Sequence, residues 1–390
     1  MCNSQSERVM PFLDLVLMLC VCCLPCSCSG SPRSNHDMVV SAWVVYWDVA
    51  NGVESIEKDS EVLDEINPFY YAFGEKGNVV ENSPRIETAH PLPSIIRSGR
   101  LLTVPTIVND RIYPGRASKL KDRDVVRFLL DDPERMEHHI DCICQLVEAQ
   151  KYDGIDIDYE NLHPSDRNLF TRFVEILGGR LRAKGKLLTV TVQPITSNAQ
   201  DKRPGALDWS SVGAAADRVR IMCYNYSYPG SEPGPIAPPE WVAQIITYAR
   251  KNVPADKISL ALALHGFDWS ESAVRSVTFK RAMAIAKEYD ADIRWDADSS
   301  TSYFVYYHQG QKHEVWFESA KSLDAKLQVI ARHNVGGISL WRLGGEDPDI
   351  FPILTQYKKQ HTARIKSDII PVGSGALPHS LQTERLVQAR

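Results

Sequence analysis

Eight near-continuous apolar runs recur along this 390-residue chain, separated by helix-length amphipathic stretches. They are "VVSAWVVYW" (39–47), "PFYYAFG" (68–74), "LLTVPTIVN" (101–109), "GIDIDYE" (154–160), "LLTVTVQP" (187–194), "RVRIMCYNY" (218–226), "ISLALALHGF" (258–267) and "GGISLWRLG" (336–344). Apolar residues on both faces of a run are what a parallel strand needs when helices cover one side and packed residues the other. Helical patterns fill several intervals. "DDPERMEHHIDCICQLVEAQ" opens on an Asp cap and a first-turn Pro. "HPSDRNLFTRFVEILGGRLRAKG" offers Ser165 as a cap and Gly185 near its end. "PPEWVAQIITYARKNV" and "SLDAKLQVIARHNVGG" follow the same plan. The alternation predicts an α/β fold, a (β/α)8 TIM barrel, which takes roughly 250 residues plus insertions. An open doubly wound sheet is the alternative, but no Gly-x-Gly-x-x-Gly turn follows the first run.

The barrel is expected over 38–360. The interval between the seventh and eighth runs is too long for one crossover. It predicts a small α+β insertion over 270–318: a helix, a strand, and a hairpin turning at "HQGQK". The polar stretch 362–390 is expected to be a disordered tail. Residues 1–30 hold Arg8, an apolar run and then small residues, in the order of a signal peptide, although Asp14 sits inside the apolar run. The other reading is a Cys-rich leader, retained or acylated, because six of the nine cysteines lie there. Either way the expected location is secreted or cell-envelope associated. Cys142 and Cys144, two apart on a helix, point different ways and pair poorly. A net charge of −5 without a basic run gives no reason to expect a nucleic-acid partner.

The stretch "DGIDIDYEN" (153–161) crowds four acids together. Side chains alternate along a strand, so Asp156, Asp158 and Glu160 share one face and Ile155, Ile157 and Tyr159 the other. With the isoleucines against the helices, the acids line the barrel axis. Glu160 then sits at the carboxyl end of its strand, where barrels place their chemistry. Three buried acids cannot all ionise cheaply, and like charge raises at least one pKa. A proton shared by Asp156 and Asp158 would relieve the repulsion and leave Glu160 able to act as a general acid.

The motif "DGIDIDYE" resembles the signature of family 18 glycoside hydrolases, the chitinase-like barrels. "MCYNY" (222–226) is similar to the family's Met-x-Tyr-Asp segment, and Trp341 matches its eighth-strand tryptophan. The insertion is also similar, so the resemblance spans about 38–357. The C-terminal "VWFESAKSLDAKLQVIARHNVGGISLWRLGGEDP" is similar to bacterial spore- and cell-wall-associated members rather than to large secreted chitinases. The resemblance implies retaining hydrolysis assisted by the substrate's own N-acetyl group, without a covalent enzyme nucleophile. It assigns Glu160 as general acid/base, Asp158 to the acetamido group, Asp156 as its proton-sharing partner, and Tyr224 to the acetamido oxygen. Asp153 and Gly154 are structural motif residues, and Trp341 stacks under the sugar. Asn225 stands where the family usually has Asp, which removes a charge. It also begins a formal glycosylation sequon, "NYS".

Further expected sugar contacts are Met222, Tyr226, Trp47, Phe73 and Gln193, with Trp269, Trp295 and His265 as weaker candidates. Arg342 is expected to pair with Glu346 or Asp347. No metal-ligand spacing appears, so neither metal nor cofactor is expected. The implied partner is an N-acetylglucosamine-containing polysaccharide or oligosaccharide, bound by a monomer with no stable protein partner. Chitin and peptidoglycan are the leading substrates. The alternatives are a glycan-binding lectin without activity and an endo-β-N-acetylglucosaminidase on N-glycans.

Overall fold

The computed structural model describes residues 38–82, 98–196 and 206–369. The leader expected at 1–30 lies outside them. From β1 (Val39–Val45) the chain passes through α1 (Val49–Asp59) to β2 (Glu65–Phe73). A short antiparallel β3 (Val79–Glu81) and a two-residue β4 (Leu102–Thr103) pair with β2 before β5 (Thr106–Arg111) begins. Pro105, which has no N–H to donate, lies in the break between β4 and β5, so the expected third run is two strands. Then follow α2 (Arg123–Leu130), α3 (Pro133–Ala149), β6 (Gly154–Asp158), α4 (Arg167–Ala183) and β7 (Leu187–Val192). After them come α5 (Trp209–Ala215), β8 (Arg218–Met222), α6 (Pro239–Asn252) and β9 (Ile258–Ala263).

The insertion starts earlier than its sequence suggests. It comprises β10 (His265–Ser270), β11 (Val274–Thr278), α7 (Phe279–Glu288), β12 (Arg294–Asp296), β13 (Thr301–His308) and β14 (Gln311–Phe317), with its five strands in one antiparallel sheet. The seventh run therefore spans two sheets, and His265 opens β10 rather than ending a barrel strand. Continuous hydrophobicity hides such a switch. Gly266 permits it, because a Cβ there would meet the Trp316 carbonyl oxygen at 2.1 Å. The β13–β14 hairpin turns at Gln309 and Gly310, both with positive φ, as a tight two-residue turn requires. Last come α8 (Ala320–Ile330), β15 (Gly337–Trp341) and α9 (Ile350–Ile369). Helix α9 extends past 362, where a disordered tail was expected; residues 370–390 lie outside the described ones.

Eight parallel strands, in the order β1-β15-β9-β8-β7-β6-β5-β2, close through pairing of β1 with β2. The large core lies between barrel and helices and includes Ile155, Ile157 and Tyr159. Helix caps follow the sequence where a suitable oxygen is available. Asp132 accepts from Arg135 N ahead of α3, and Ser319 and Ser322 form a reciprocal box ahead of α8. Ser165 does not cap α4. It sits within a 3-10 turn, Pro164–Asp166, with its N–H bonded to His163 Nδ1, and the helix begins only at Arg167.

Candidate active site

The barrel axis is filled with polar side chains. Glu65 is fully buried and accepts from Arg218 at 2.7 Å, Arg220 at 2.9 Å and Asn67 at 2.8 Å. Burial pushes the Glu65 carboxyl up, but the two arginines and Asn67 outweigh it, so the net direction is down. Arg220 also donates to Ser339 at 2.9 Å, reaches Asp156 at 3.0 Å, and lies over the Trp43 ring, 4.5 Å from its centroid. This one buried guanidinium thus ties β1, β2, β6 and β15 together.

Above that layer, β6 presents Asp156 and Asp158 inward, as alternation predicts. Gly154 starts the strand because β7 runs too close for a side chain: a Cβ would meet Leu187 O at 2.4 Å. Asp153 is structural, accepting from Thr103 N at 2.8 Å. Asp156 accepts from Thr106 at 2.8 Å and Thr191 at 2.9 Å, beside its contact with Arg220. Its carboxyl shares the inner face of β6 with that of Asp158. Burial still leaves its pKa above the ordinary value.

Asp158 has no such support. Its Oδ1 has no hydrogen-bond partner. Burial, then the charges of Glu160 and Asp156, hold its pKa well above the usual carboxylate range. The strand ends at Asp158, and Glu160 follows at the barrel mouth, its side chain 13% exposed. Gln193 donates to Glu160 Oε2 at 3.0 Å, and the Lys121 ammonium lies 2.7 Å from Oε1 and 2.8 Å from Oε2. Asn109 grips the Glu160 backbone.

Tyr224, just past β8, is buried and lies face to face with Trp341, centroids 6.4 Å apart. Burial, then the charges of Asp158 and Glu160, raise its phenol so that it stays a neutral donor. Trp341 ends β15 and is edge-packed by Trp43 and Phe69. Trp47, Asn225, His265 and Arg342 line a pocket with it. Met222 is buried beneath in the Trp43–Tyr224 cluster. Tyr226 is half exposed and leans on Trp241. Asn225 is exposed with φ 63°, a left-handed conformation that asparagine tolerates well.

Four expectations fail. Phe73 is fully buried against His139 and Tyr159 in the helix-side core and does not reach the mouth. Register shifts between Phe69 and Phe73 break the strand's alternation, so Phe69 lies in the cleft and Phe73 behind the barrel. Trp269 is buried in the inner cluster. The Trp295 ring is covered by the Lys321 ammonium at 3.8 Å. Arg342 pairs with Asp48 at 2.6 Å, rather than with Glu346 or Asp347. Sequence reading also missed Lys121, Asn109, Glu65 and Arg220, which carry no motif of their own.

A barrel with an acid row ending at the carboxyl-end mouth, floored by a tryptophan, defines a class of sugar-processing enzyme, and comparison with known proteins narrows it. The family model described as "Glycosyl hydrolases family 18" matches residues 126–347. The chain belongs to that family and is a glycoside hydrolase. It is 32% identical over 226 residues to the putative sporulation-specific glycosylase YdhD of Bacillus subtilis (strain 168), covering 56% of this chain and 54% of YdhD. It is 30% identical over 303 residues to the cortical fragment-lytic enzyme of Bacillus anthracis, covering 75% of this chain and 69% of that protein. The chain therefore spans about half of the first relative and about two thirds of the second. The crystal structure of the Bacillus cereus spore cortex-lytic enzyme SleL superposes with a TM-score of 0.72 at 26% identity, covering 83% of this chain and 75% of that one.

Proposed function

We propose that the chain hydrolyses β-1,4-linked N-acetylglucosamine in peptidoglycan or chitin, with retention, through participation of the substrate's N-acetyl group. The supporting observation is the pair Asp158–Glu160. Asp158 is buried, with an unpartnered oxygen and a raised pKa; Glu160 stands at the mouth, close enough for its charge to act on the Tyr224 phenol. A sugar stacked on Trp341 brings its acetamido N–H to Asp158 and its carbonyl oxygen to the Tyr224 hydroxyl. The carbonyl oxygen attacks the anomeric carbon as the glycosidic C–O bond breaks, and Glu160 gives its proton to the leaving oxygen. Water then adds to the anomeric carbon, loses a proton to Glu160, and the C–O bond to the acetamido group reopens. Tethering of the nucleophile supplies the proximity advantage. The relatives named for spore cortex lysis favour peptidoglycan as the polymer. The order of residues 1–30 supports an enzyme acting outside the cytoplasm.

The test is product analysis after incubating purified peptidoglycan, and separately chitooligosaccharides, with wild type and Glu160→Gln. Fragments bearing reducing N-acetylglucosamine, first appearing as the β anomer and absent with the variant, are expected. Inverted products, or equal cleavage by the variant, would overturn the mechanism. Binding without cleavage by both proteins would favour the lectin.

A further inference from the structure

Lys121 belongs to no motif, yet it makes the closest contacts to Glu160. Its ammonium is 2.7 Å from one carboxylate oxygen and 2.8 Å from the other. An ammonium shared by both oxygens is a charge-assisted contact matched to a carboxylate anion.

The chain takes trouble to place it. Lys121 has φ 50°, a left-handed backbone that a long side chain adopts at a cost, and such strain concentrates at functional sites. Its N–H is held by Asp110 Oδ1 at 2.8 Å, and the next N–H, of Asp122, by Asn109 O at 2.7 Å. Asp122 then caps α2, accepting from Asp124 N. The two β5 residues that fix this turn also bear on Glu160: the Asn109 side chain bonds its backbone N–H and C=O, and Asp110 adds negative charge nearby. Adjacent residues of one strand therefore set both halves of the Lys121–Glu160 pair.

We propose that Lys121 is a positioning residue for the acid/base. It seats the Glu160 carboxylate and sets the positive charge against which the acid cluster at the mouth titrates. The proposal rests on the functional reading above. The groups facing Glu160 are Lys121 and Asp110 from β5 and its loop, Asp158 and Asp156 from β6, Gln193 after β7, and Tyr224 after β8. Arg220 lies below, bound to Asp156. Lys121 is thus the cation in direct contact with Glu160, and the buried cation beneath is already engaged by Glu65 and Asp156. The Lys121 charge lowers the proton affinity of Asp158, so removing it raises that affinity and moves the pH–rate profile to higher pH.

Asparagine accepts left-handed backbone, so Lys121→Asn removes the charge while sparing the turn. Lys121→Arg keeps the charge. Two readouts separate failure of this inference from failure of the functional reading. The first is a carboxyl-carbon NMR titration of the substrate-free full chain, which needs no turnover. The second is kcat and kcat/KM against pH on whichever glycan the wild type cleaves. The expected result is an upward shift of the cluster's titration and of the alkaline limb in Lys121→Asn, with Lys121→Arg close to wild type. A titration unmoved in Lys121→Asn overturns the proposal, whatever happens to kcat. So does a KM increase with an unmoved profile, which would make Lys121 a substrate contact. If Lys121→Asn fails to fold, Lys121→Gln takes its place under the same criteria. If the wild type cleaves no glycan, the functional reading fails and the titration alone decides the role of Lys121.

Discussion

Asn109 holds the backbone of Glu160 from both directions: its amide donates to the Glu160 carbonyl at 2.9 Å and its carbonyl oxygen accepts the Glu160 N–H at 2.9 Å. Beyond the end of β6 no strand ladder fixes Glu160, so this side chain substitutes for one. Asn109→Ala should lower stability by about 1–3 kcal/mol, the cost of partly buried groups left unpaired. It should lower kcat by about 10–100-fold through misplacement of the acid. Denaturant melts and steady-state kinetics check both, and unchanged kcat would remove Asn109 from the positioning scheme.

Asp158 should be a site where function costs stability. Its pKa is raised in the folded state, so at pH values between the ordinary and the raised one the folded chain binds more protons than the unfolded chain. Stability then falls as pH rises through that window. Asp158→Asn removes the dependence. We expect a higher Tm than wild type at pH 7, a difference that vanishes near about pH 4, and loss of hydrolysis. Equal Tm values at neutral pH would contradict a strained carboxyl.

Removing Arg220 takes the counter-charge from buried Asp156 and leaves Glu65 with Arg218 as its one cation. Arg220→Leu alone should cost roughly 3–5 kcal/mol. Combining it with Glu65→Gln and Asp156→Asn should recover a large part of that loss, because the uncompensated charges go too. Chemical denaturation of single and triple variants measures the coupling, and additive losses would argue against a shared network.

The bulge in β2 makes Phe69 and Phe73 behave oppositely. Phe73→Ala should cost about 3–5 kcal/mol, as for other buried phenylalanines, with KM unchanged. Phe69→Ala should raise KM with a smaller effect on stability, because it trims the Trp341 support. Identical phenotypes would mean that the two rings share a face.

Asn225→Asp restores an anion at the mouth in a backbone conformation that both residues accept. The added negative charge should move the alkaline limb of the pH–rate profile upward. A superimposable profile would show that position 225 lies outside the electrostatic reach of the acids.

The sequence by itself determined the repeating strand and helix pattern, the covered strands and the acid row. Each follows from a local period: two for strands, 3.6 for helices. Asp156, Asp158 and the helix-side isoleucines lie where alternation puts them. Contacts between distant residues have no local period and waited for the tertiary structure. Lys121 meets Glu160 across 39 positions, and Arg220 meets Glu65 across 155. The bulge that turns Phe73 outward and the sheet change at His265 also depend on neighbouring strands rather than on residue type. The motif marked the acid row; closure of the barrel decided which acid meets Arg220, which keeps an unpartnered oxygen, and which cation meets Glu160.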